Sequence, residues 1–157
     1  MDDHETGLVG RVATGFTLED QRRAPVTFSP GDGQRWFLSF HPLAWTGACA
    51  AQMRALEAHR SEFVELDCVA VGISIDSWIS KRAWAGEIGV AATPLLADFW
   101  PHGAVARAYG LFREKNGFSE RANVVVDRDG RIVFARVYPV HEVPPLDETL
   151  EFLRRTA

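Results

Sequence analysis

The stretch WFLSFHPLAWTGACAAQM, Trp36 to Met53, holds a strand, a loop and the start of a helix, and the fold prediction begins there. Its first part, WFLSF, is a short and nearly continuous apolar run, which is typical of a strand buried on both faces. After Pro42 the pattern becomes helical, because apolar residues recur on one face from about Gly47 to Phe63. The stretch therefore predicts a strand–loop–helix unit of an α/β sheet.

Strands and helices alternate along the rest of the chain, ending in a hairpin and a helix. In chain order the other predicted elements are an edge hairpin around EDQRR (Phe16–Phe28), a buried strand (Cys68–Ile75), a helix capped by Asp76 or Ser77 and ended by Gly89, a short strand (Thr93–Leu96), a short helix within Asp98–Gly110, a hairpin around DRDG (Asn123–Val126 and Ile132–Val137), and a last helix (Leu146–Leu153). This order predicts a mixed α/β sheet with parallel central strands and an antiparallel edge.

Length and composition suit one folded domain over residues 1–157, in which about residues 1–7 are expected to form a mobile tail. The net charge of −4, and the absence of any Lys/Arg run longer than a pair, argue against a nucleic-acid partner. No apolar run approaches the length of a membrane span, and the acidic start does not resemble a signal peptide. We therefore expect a cytoplasmic protein whose two cysteines are reduced.

Metal and cofactor chemistry has no signature in the sequence. The five histidines are scattered and show no ligand spacing with the cysteines. There is no C-x-x-C motif and no glycine-rich phosphate loop. We therefore expect neither a metal site nor a cofactor.

Cys49 lies at the junction between the predicted central strand and the next helix, where α/β proteins place their chemistry. A helix N-terminus favours the thiolate through its unpaired N–H groups and its dipole. Many free cysteines, however, are simply small buried apolar residues. The residues taken alone leave both interpretations open.

The spacing Pro42-x-x-x-Thr46-x-x-Cys49 reproduces the P-x-x-x-T-x-x-C signature of the peroxiredoxins, thiol peroxidases of the AhpC/TSA family with a thioredoxin-like fold. The resemblance continues in the same order along nearly the whole chain. The blocks that carry it are VGRVATGFTLEDQRRAPVTFS, VAVGISIDSW with RAWA, PLLADFWPHGAVARAYGLF, which resembles the one-cysteine alkyl hydroperoxide reductase E-type branch, and RANVVVDRDGRIVF. It implies a central mixed β-sheet with helices on both faces and an N-terminal β-hairpin.

The resemblance also implies a role for each residue of the motif. Cys49 would attack hydrogen peroxide or an organic hydroperoxide and become a sulfenic acid. Thr46 would hydrogen-bond the peroxide, and Pro42 would shield the thiol from water. Arg121 would keep Cys49 ionised and polarise the O–O bond, while the N–H groups of Ala48 and Cys49 would hold the leaving oxygen.

Two positions depart from the family pattern. Gln52 stands where the family often has glutamate, and its neutral amide can still orient Arg121 while removing a negative charge. His41 precedes Pro42, where the family usually has an aromatic residue. Its ring either tunes the thiolate or is structural.

Further substrate contacts are predicted from the same resemblance. Ala48, Gln52 and Trp84 are expected to contact the substrate. Trp45 and Trp84 are expected to line the mouth of the pocket, unless both are ordinary core residues.

Cys68 begins a buried strand and stands in neither place where two-cysteine members carry their second thiol. We predict a structural thiol and a one-cysteine cycle, in which a thioredoxin, a glutaredoxin-like protein or a low-molecular-weight thiol reduces Cys49. A Cys49–Cys68 disulfide is the alternative. The resemblance further implies a homodimer. A peroxide-sensing redox switch with slow turnover, and a degenerate member without activity, are the other functions that the sequence leaves open.

Overall fold

The computed structural model describes residues 2–4 and 6–157, with the backbone alone described at residues 2–4. The strands are β1 (Asp2–His4), β2 (Phe16–Glu19), β3 (Pro25–Phe28), β4 (Arg35–Phe40), β5 (Cys68–Ser74), β6 (Leu95–Ala97), β7 (Phe112–Arg113), β8 (Phe118–Ser119), β9 (Arg121–Val126) and β10 (Ile132–Tyr138). The helices are α1 (Gly47–Ala58), α2 (Arg60–Glu65), α3 (Trp78–Ile88), α4 (Ala104–Ala108) and α5 (Leu146–Arg155).

Over the described residues, eight strands form one mixed sheet in the order β1-β10-β9-β4-β5-β6-β2-β3, and β7 pairs with β8 separately. The central strand β4 is buried along its whole length. It runs parallel to β5, with Phe40 opposite Ile73, and antiparallel to β9, with Phe40 opposite Ala122. This register brings the carboxyl ends of β4 and β5 and the start of β9 to one edge of the sheet.

Alternate residues of β4 enter two different cores, as the two-residue period of a strand requires. Phe37 packs in the core that contains Met53 of α1 and Trp84 of α3. Leu38 faces the other side, in the core that contains Val105 of α4. Helices therefore cover both faces of the sheet, as predicted.

The predicted mixed α/β sheet, both hairpins and the buried central strand are confirmed, but two helices differ from their predicted lengths. The helix predicted from Gly47 to Phe63 is broken at His59, whose non-helical backbone (φ −102°, ψ 13°) ends α1 before α2 begins. The helix predicted within Asp98–Gly110 has only the five residues of α4, because turns occupy the segment before Gly103.

The mobile tail predicted for about residues 1–7 includes residues 1 and 5, which lie outside the described residues. The sequence pattern did not indicate β1 (Asp2–His4), which pairs in parallel with β10. The tail's mobility and the single domain over residues 1–157 stay predictions.

Candidate active site

Cys49 is the third residue of α1 and is fully buried. Thr46 is the N-cap of this helix, and its side chain makes no capping hydrogen bond. A helix leaves the N–H groups of its first turn without intrahelical partners. Those of Ala48 and Cys49 are therefore available to an oxygen that carries negative charge beside the sulfur.

Arg121, the first residue of β9, reaches Cys49 from the neighbouring strand. Its Nη1 donates to Cys49 Sγ at 3.3 Å and to Gln52 Oε1 at 2.7 Å. Its Nε donates to the carbonyl oxygen of Val140 at 3.0 Å, and Nη2 donates to the same oxygen. No carboxylate is among these acceptors, so they do not neutralise the buried guanidinium, and its positive charge can stabilise a thiolate at Cys49.

The orientation of Gln52 is set by hydrogen bonds that it donates to the sheet. Its Nε2 donates to Ser39 Oγ at 2.7 Å and to the carbonyl oxygen of Phe40 at 3.1 Å. Ser39 Oγ in turn donates to Asn123 Oδ1 at 2.8 Å. The amide oxygen of Gln52 is thereby left pointing at Arg121, and the network holds the guanidinium in place.

The loop before α1 is fixed by contacts with the segment that leads into α3. The backbone N–H of Ala44 donates to Asp76 Oδ2 at 2.9 Å. Trp45 adopts a positive φ of 71°, which is rare for a bulky residue, and its Nε1 donates to Ser80 Oγ at 3.1 Å. Pro42, in the same loop, is buried.

Thr46 has a defined hydrogen-bonding role in the loop. Its Oγ1 donates to the carbonyl oxygen of Leu43 at 3.0 Å, which uses the only proton of the hydroxyl. The oxygen lone pairs of this exposed residue remain free to accept a hydrogen bond. The hydroxyl of Thr46 is therefore suited to accept from the O–H of a peroxide.

A second group of buried side chains joins the residue after β4 to α3. His41 and Lys81 are both fully buried, with His41 Nε2 3.1 Å from Lys81 Nζ, and the ring of Trp84 packs 5.4 Å from that of His41. Burial lowers the pKa of Lys81 to about 7. Burial, and then the charges of Lys81 and Arg121, hold the pKa of His41 well below its ordinary value.

Comparison with known proteins assigns this chain to a family. The model of the AhpC/TSA family matches residues 9–135. The chain belongs to this family. Alkyl hydroperoxide reductase E of Mycobacterium tuberculosis is 43% identical over 136 residues, which cover 86% of this chain and 88% of that protein.

Solved structures agree with this membership of the AhpC/TSA family. The structure of AhpC from Enterococcus faecalis superimposes with a TM-score of 0.85 at 24% identity, covering 99% of this chain and 93% of that one. Peroxidoxin BcpB from Mycobacterium tuberculosis gives a TM-score of 0.81 at 25% identity, covering 95% and 97%. The predicted thioredoxin-like fold is thereby confirmed.

In this AhpC/TSA-family protein the fold brings Cys49, Arg121 and Gln52 into contact and places Thr46 and Ala48 at the same helix end. Their roles towards a peroxide stay predictions. Trp84 differs from its predicted place at the pocket mouth, because it is only 1% exposed and lies in the core.

The sequence analysis missed the side chains that support the thiol. Ser39 and Asn123 are single polar residues within apolar strand runs, and both proved to be buried. Lys81 stands three residues before Trp84 and four before Ala85, on the core face of α3. A polar or charged residue on a face that must be buried was the available signal in each case.

The described part of the chain holds no group of three His, Cys, Asp or Glu side chains placed to bind a metal ion. Within the same residues, none of the helices has both the length and the apolar character that crossing a membrane requires.

Proposed function

We propose that this enzyme, a thiol peroxidase, reduces hydrogen peroxide and organic hydroperoxides through Cys49. One observation carries the proposal: Cys49 Sγ lies in the first turn of α1, 3.3 Å from a buried guanidinium whose acceptors among the described residues include no carboxylate. Both features favour the thiolate, which is the nucleophilic form. The same two features stabilise negative charge on a second atom beside the sulfur, as peroxide cleavage requires.

The reaction begins when the Cys49 thiolate attacks one oxygen of the peroxide. A sulfur–oxygen bond forms, the O–O bond breaks, and the other oxygen leaves as hydroxide or alkoxide and takes up a proton. Thr46 accepts the hydrogen bond of the peroxide O–H and so orients it. Arg121 and the N–H groups of Ala48 and Cys49 stabilise the charge that develops on the leaving oxygen.

Cys49 is left as a sulfenic acid, and we propose that an external thiol reduces it. The external thiol displaces water to form a mixed disulfide, and a second thiol then releases Cys49 with its proton. A thioredoxin, a glutaredoxin-like protein or a low-molecular-weight thiol could supply both sulfhydryl groups.

The position of Cys68 supports this one-cysteine cycle. Cys68 pairs with Arg35 at the start of β4, whereas Cys49 contacts Arg121, the neighbour of Ala122, which pairs with Phe40 at the other end of that strand. The five residue steps along β5 from Cys68 to Ile73 span roughly 16 Å, and a disulfide requires Cα atoms within about 7 Å. Burial also raises the pKa of the Cys68 thiol to about 12, so it is a poor nucleophile.

The experiment that tests this cycle uses the Cys68→Ser variant. We expect it to turn over peroxide within about twofold of the wild-type rate with each thiol reductant that supports the wild type, because Cys68 takes no part. Peroxide consumption is measured with thioredoxin, with a glutaredoxin and with a small thiol. A large loss of turnover, together with a Cys49–Cys68 bridge in the oxidised wild-type protein, would show that the second cysteine resolves the sulfenic acid.

We also propose that the enzyme is a cytoplasmic homodimer. The two free thiols suit a reducing compartment. An exposed apolar patch near the start of α3 suits self-association. Its members and their exposed fractions are Trp45 (55%), Ile79 (62%), Phe99 (51%) and Trp100 (82%). Trp45 contacts Ser80 of α3, and Phe99 and Trp100 line one pocket together with Trp78.

Sedimentation equilibrium tests the dimer. We expect the wild type to sediment as a dimer and Trp100→Glu to shift it towards monomer, because a charge would be buried in the interface. Val64→Glu is the matched control, since Val64 is 76% exposed on α2, outside the patch. A monomeric wild type, or equal effects of both variants, would contradict the assignment.

A further inference from the structure

Lys81 is a buried cation that the reaction described above does not use. It is fully buried on α3, and its recorded hydrogen-bond partner is His41 rather than a carboxylate. A buried ammonium group without an ion-pair partner is costly to fold. Nearby negative charge can offset this cost, and Lys81 can also avoid it by losing its proton.

Among the described residues, five charged or titratable groups act on Lys81 or on its partner His41. They are Cys49 of α1, Asp76 before α3, Asp98 after β6, His41 after β4 and, through His41, Arg121 of β9. Asp76 most strongly, then Cys49 and Asp98, favour the charged form of Lys81. Neutral donors hold the two aspartates in place without cancelling their charge.

The carboxylate of Asp76 accepts from the N–H of Ala44 and from Ser74 Oγ. The carboxylate of Asp98 accepts from the N–H groups of Val105 and Ala106, and burial raises its pKa. All three anions favour the ammonium form of Lys81, and the interaction is reciprocal, so the ammonium group favours the thiolate form of Cys49, the nucleophile of the proposed reaction.

His41 determines how Lys81 is held. Because the pKa of His41 is far below its ordinary value, its ring is neutral and Nε2 can accept from the Lys81 ammonium group. Trp84 packs against the ring and restricts its orientation. The pair is therefore an ammonium group with a neutral acceptor, and both side chains are fully buried.

We propose that Lys81, held by His41, is a positioning residue that stabilises the Cys49 thiolate as a second buried cation besides Arg121, and that this stabilisation weakens when Lys81 loses its proton. The inference rests on the proposed function, since it assigns how the nucleophile of that reaction is kept ionised. Because the pKa of Lys81 is about 7, the second cation is present below neutral pH and is lost above it.

The test measures the rate of Cys49 alkylation by iodoacetamide against pH, in the full chain carrying Cys68→Ser so that Cys49 is the only thiol. In Lys81→Met, whose side chain keeps the apolar volume, we expect the midpoint of the profile to rise by about one pH unit. Alkylation would be up to about tenfold slower on the acidic side and would converge with the unsubstituted protein by about pH 9.

Two further variants separate this role from a structural one. Arg82→Met removes a positive charge from the neighbouring, exposed position of α3 and should leave the profile in place. His41→Phe should shift the midpoint in the same direction as Lys81→Met, and the double variant should shift it no further than Lys81→Met alone, because His41 acts through Lys81.

A Lys81→Met profile that superimposes on the reference, or one lowered equally at all pH values, would overturn the proposal. If Lys81→Met does not fold, a superimposable His41→Phe profile would overturn it as well. Alkylation needs no peroxide, so these outcomes are distinct from a failure of the proposed peroxidase activity, which would appear as a reactive thiol that does not consume peroxide.

Discussion

The Cys49→Ser protein is expected to consume hydrogen peroxide no faster than the thiol reductant does alone. A serine hydroxyl at this position does not ionise as a thiol does. Peroxide also does not oxidise the serine oxygen to a product analogous to a cysteine sulfenic acid. The loss should be complete within the detection limit. Peroxide consumption under steady-state conditions, with excess reductant, measures it.

The Cys68→Ser variant is the matched control for this loss, since it removes the other free thiol by the same change. Its rate should stay close to that of the wild type. If Cys49→Ser retained most of the activity, the peroxidase assignment would be wrong.

Arg121→Gln is expected to lower the rate constant for oxidation of Cys49 by about 10²- to 10³-fold, the usual cost of removing a positioned donor to a developing oxyanion. The guanidinium contacts Cys49 Sγ at 3.3 Å and carries a fixed positive charge. Removing it weakens the stabilisation of negative charge on both the thiolate sulfur and the departing oxygen. Single-turnover oxidation, followed by tryptophan fluorescence, measures the rate constant directly.

Arg128→Gln controls for the loss of a positive charge, because Arg128 is exposed and pairs with Asp67 away from the thiol. It should leave the rate constant unchanged. Circular dichroism of Arg121→Gln checks that the fold is retained. A folded Arg121→Gln protein that reacts within about threefold of the wild type would remove Arg121 from the mechanism.

Sequence patterns were sufficient for the parts of the fold that depend on local periodicity. WFLSF is apolar throughout because β4 is buried on both faces, and the DRDG turn joins β9 to β10 as its residues indicate. The contact between Cys49 and Arg121 followed from the resemblance to a family, since no local pattern connects residues so far apart in the chain.

Contacts between distant segments could not be predicted in the same way. The orientation of Gln52 depends on Ser39 and, through it, on Asn123, and only the register of β4 against β9 brings them together. The break at His59 was also missed, because the apolar pattern continues through α2 to Phe63. For Lys81 the sequence pattern indicated only a charged residue on the buried face of α3, and it did not indicate the contact with His41.

Mass spectrometry of the reduced protein after one equivalent of hydrogen peroxide, with the reductant removed, tests the central claim most directly. The account predicts that the protein gains one oxygen atom, and that peptide mapping with a sulfenic-acid trap finds it on Cys49 and not on Cys68. An unoxidised Cys49 with the peroxide still present in solution would contradict it.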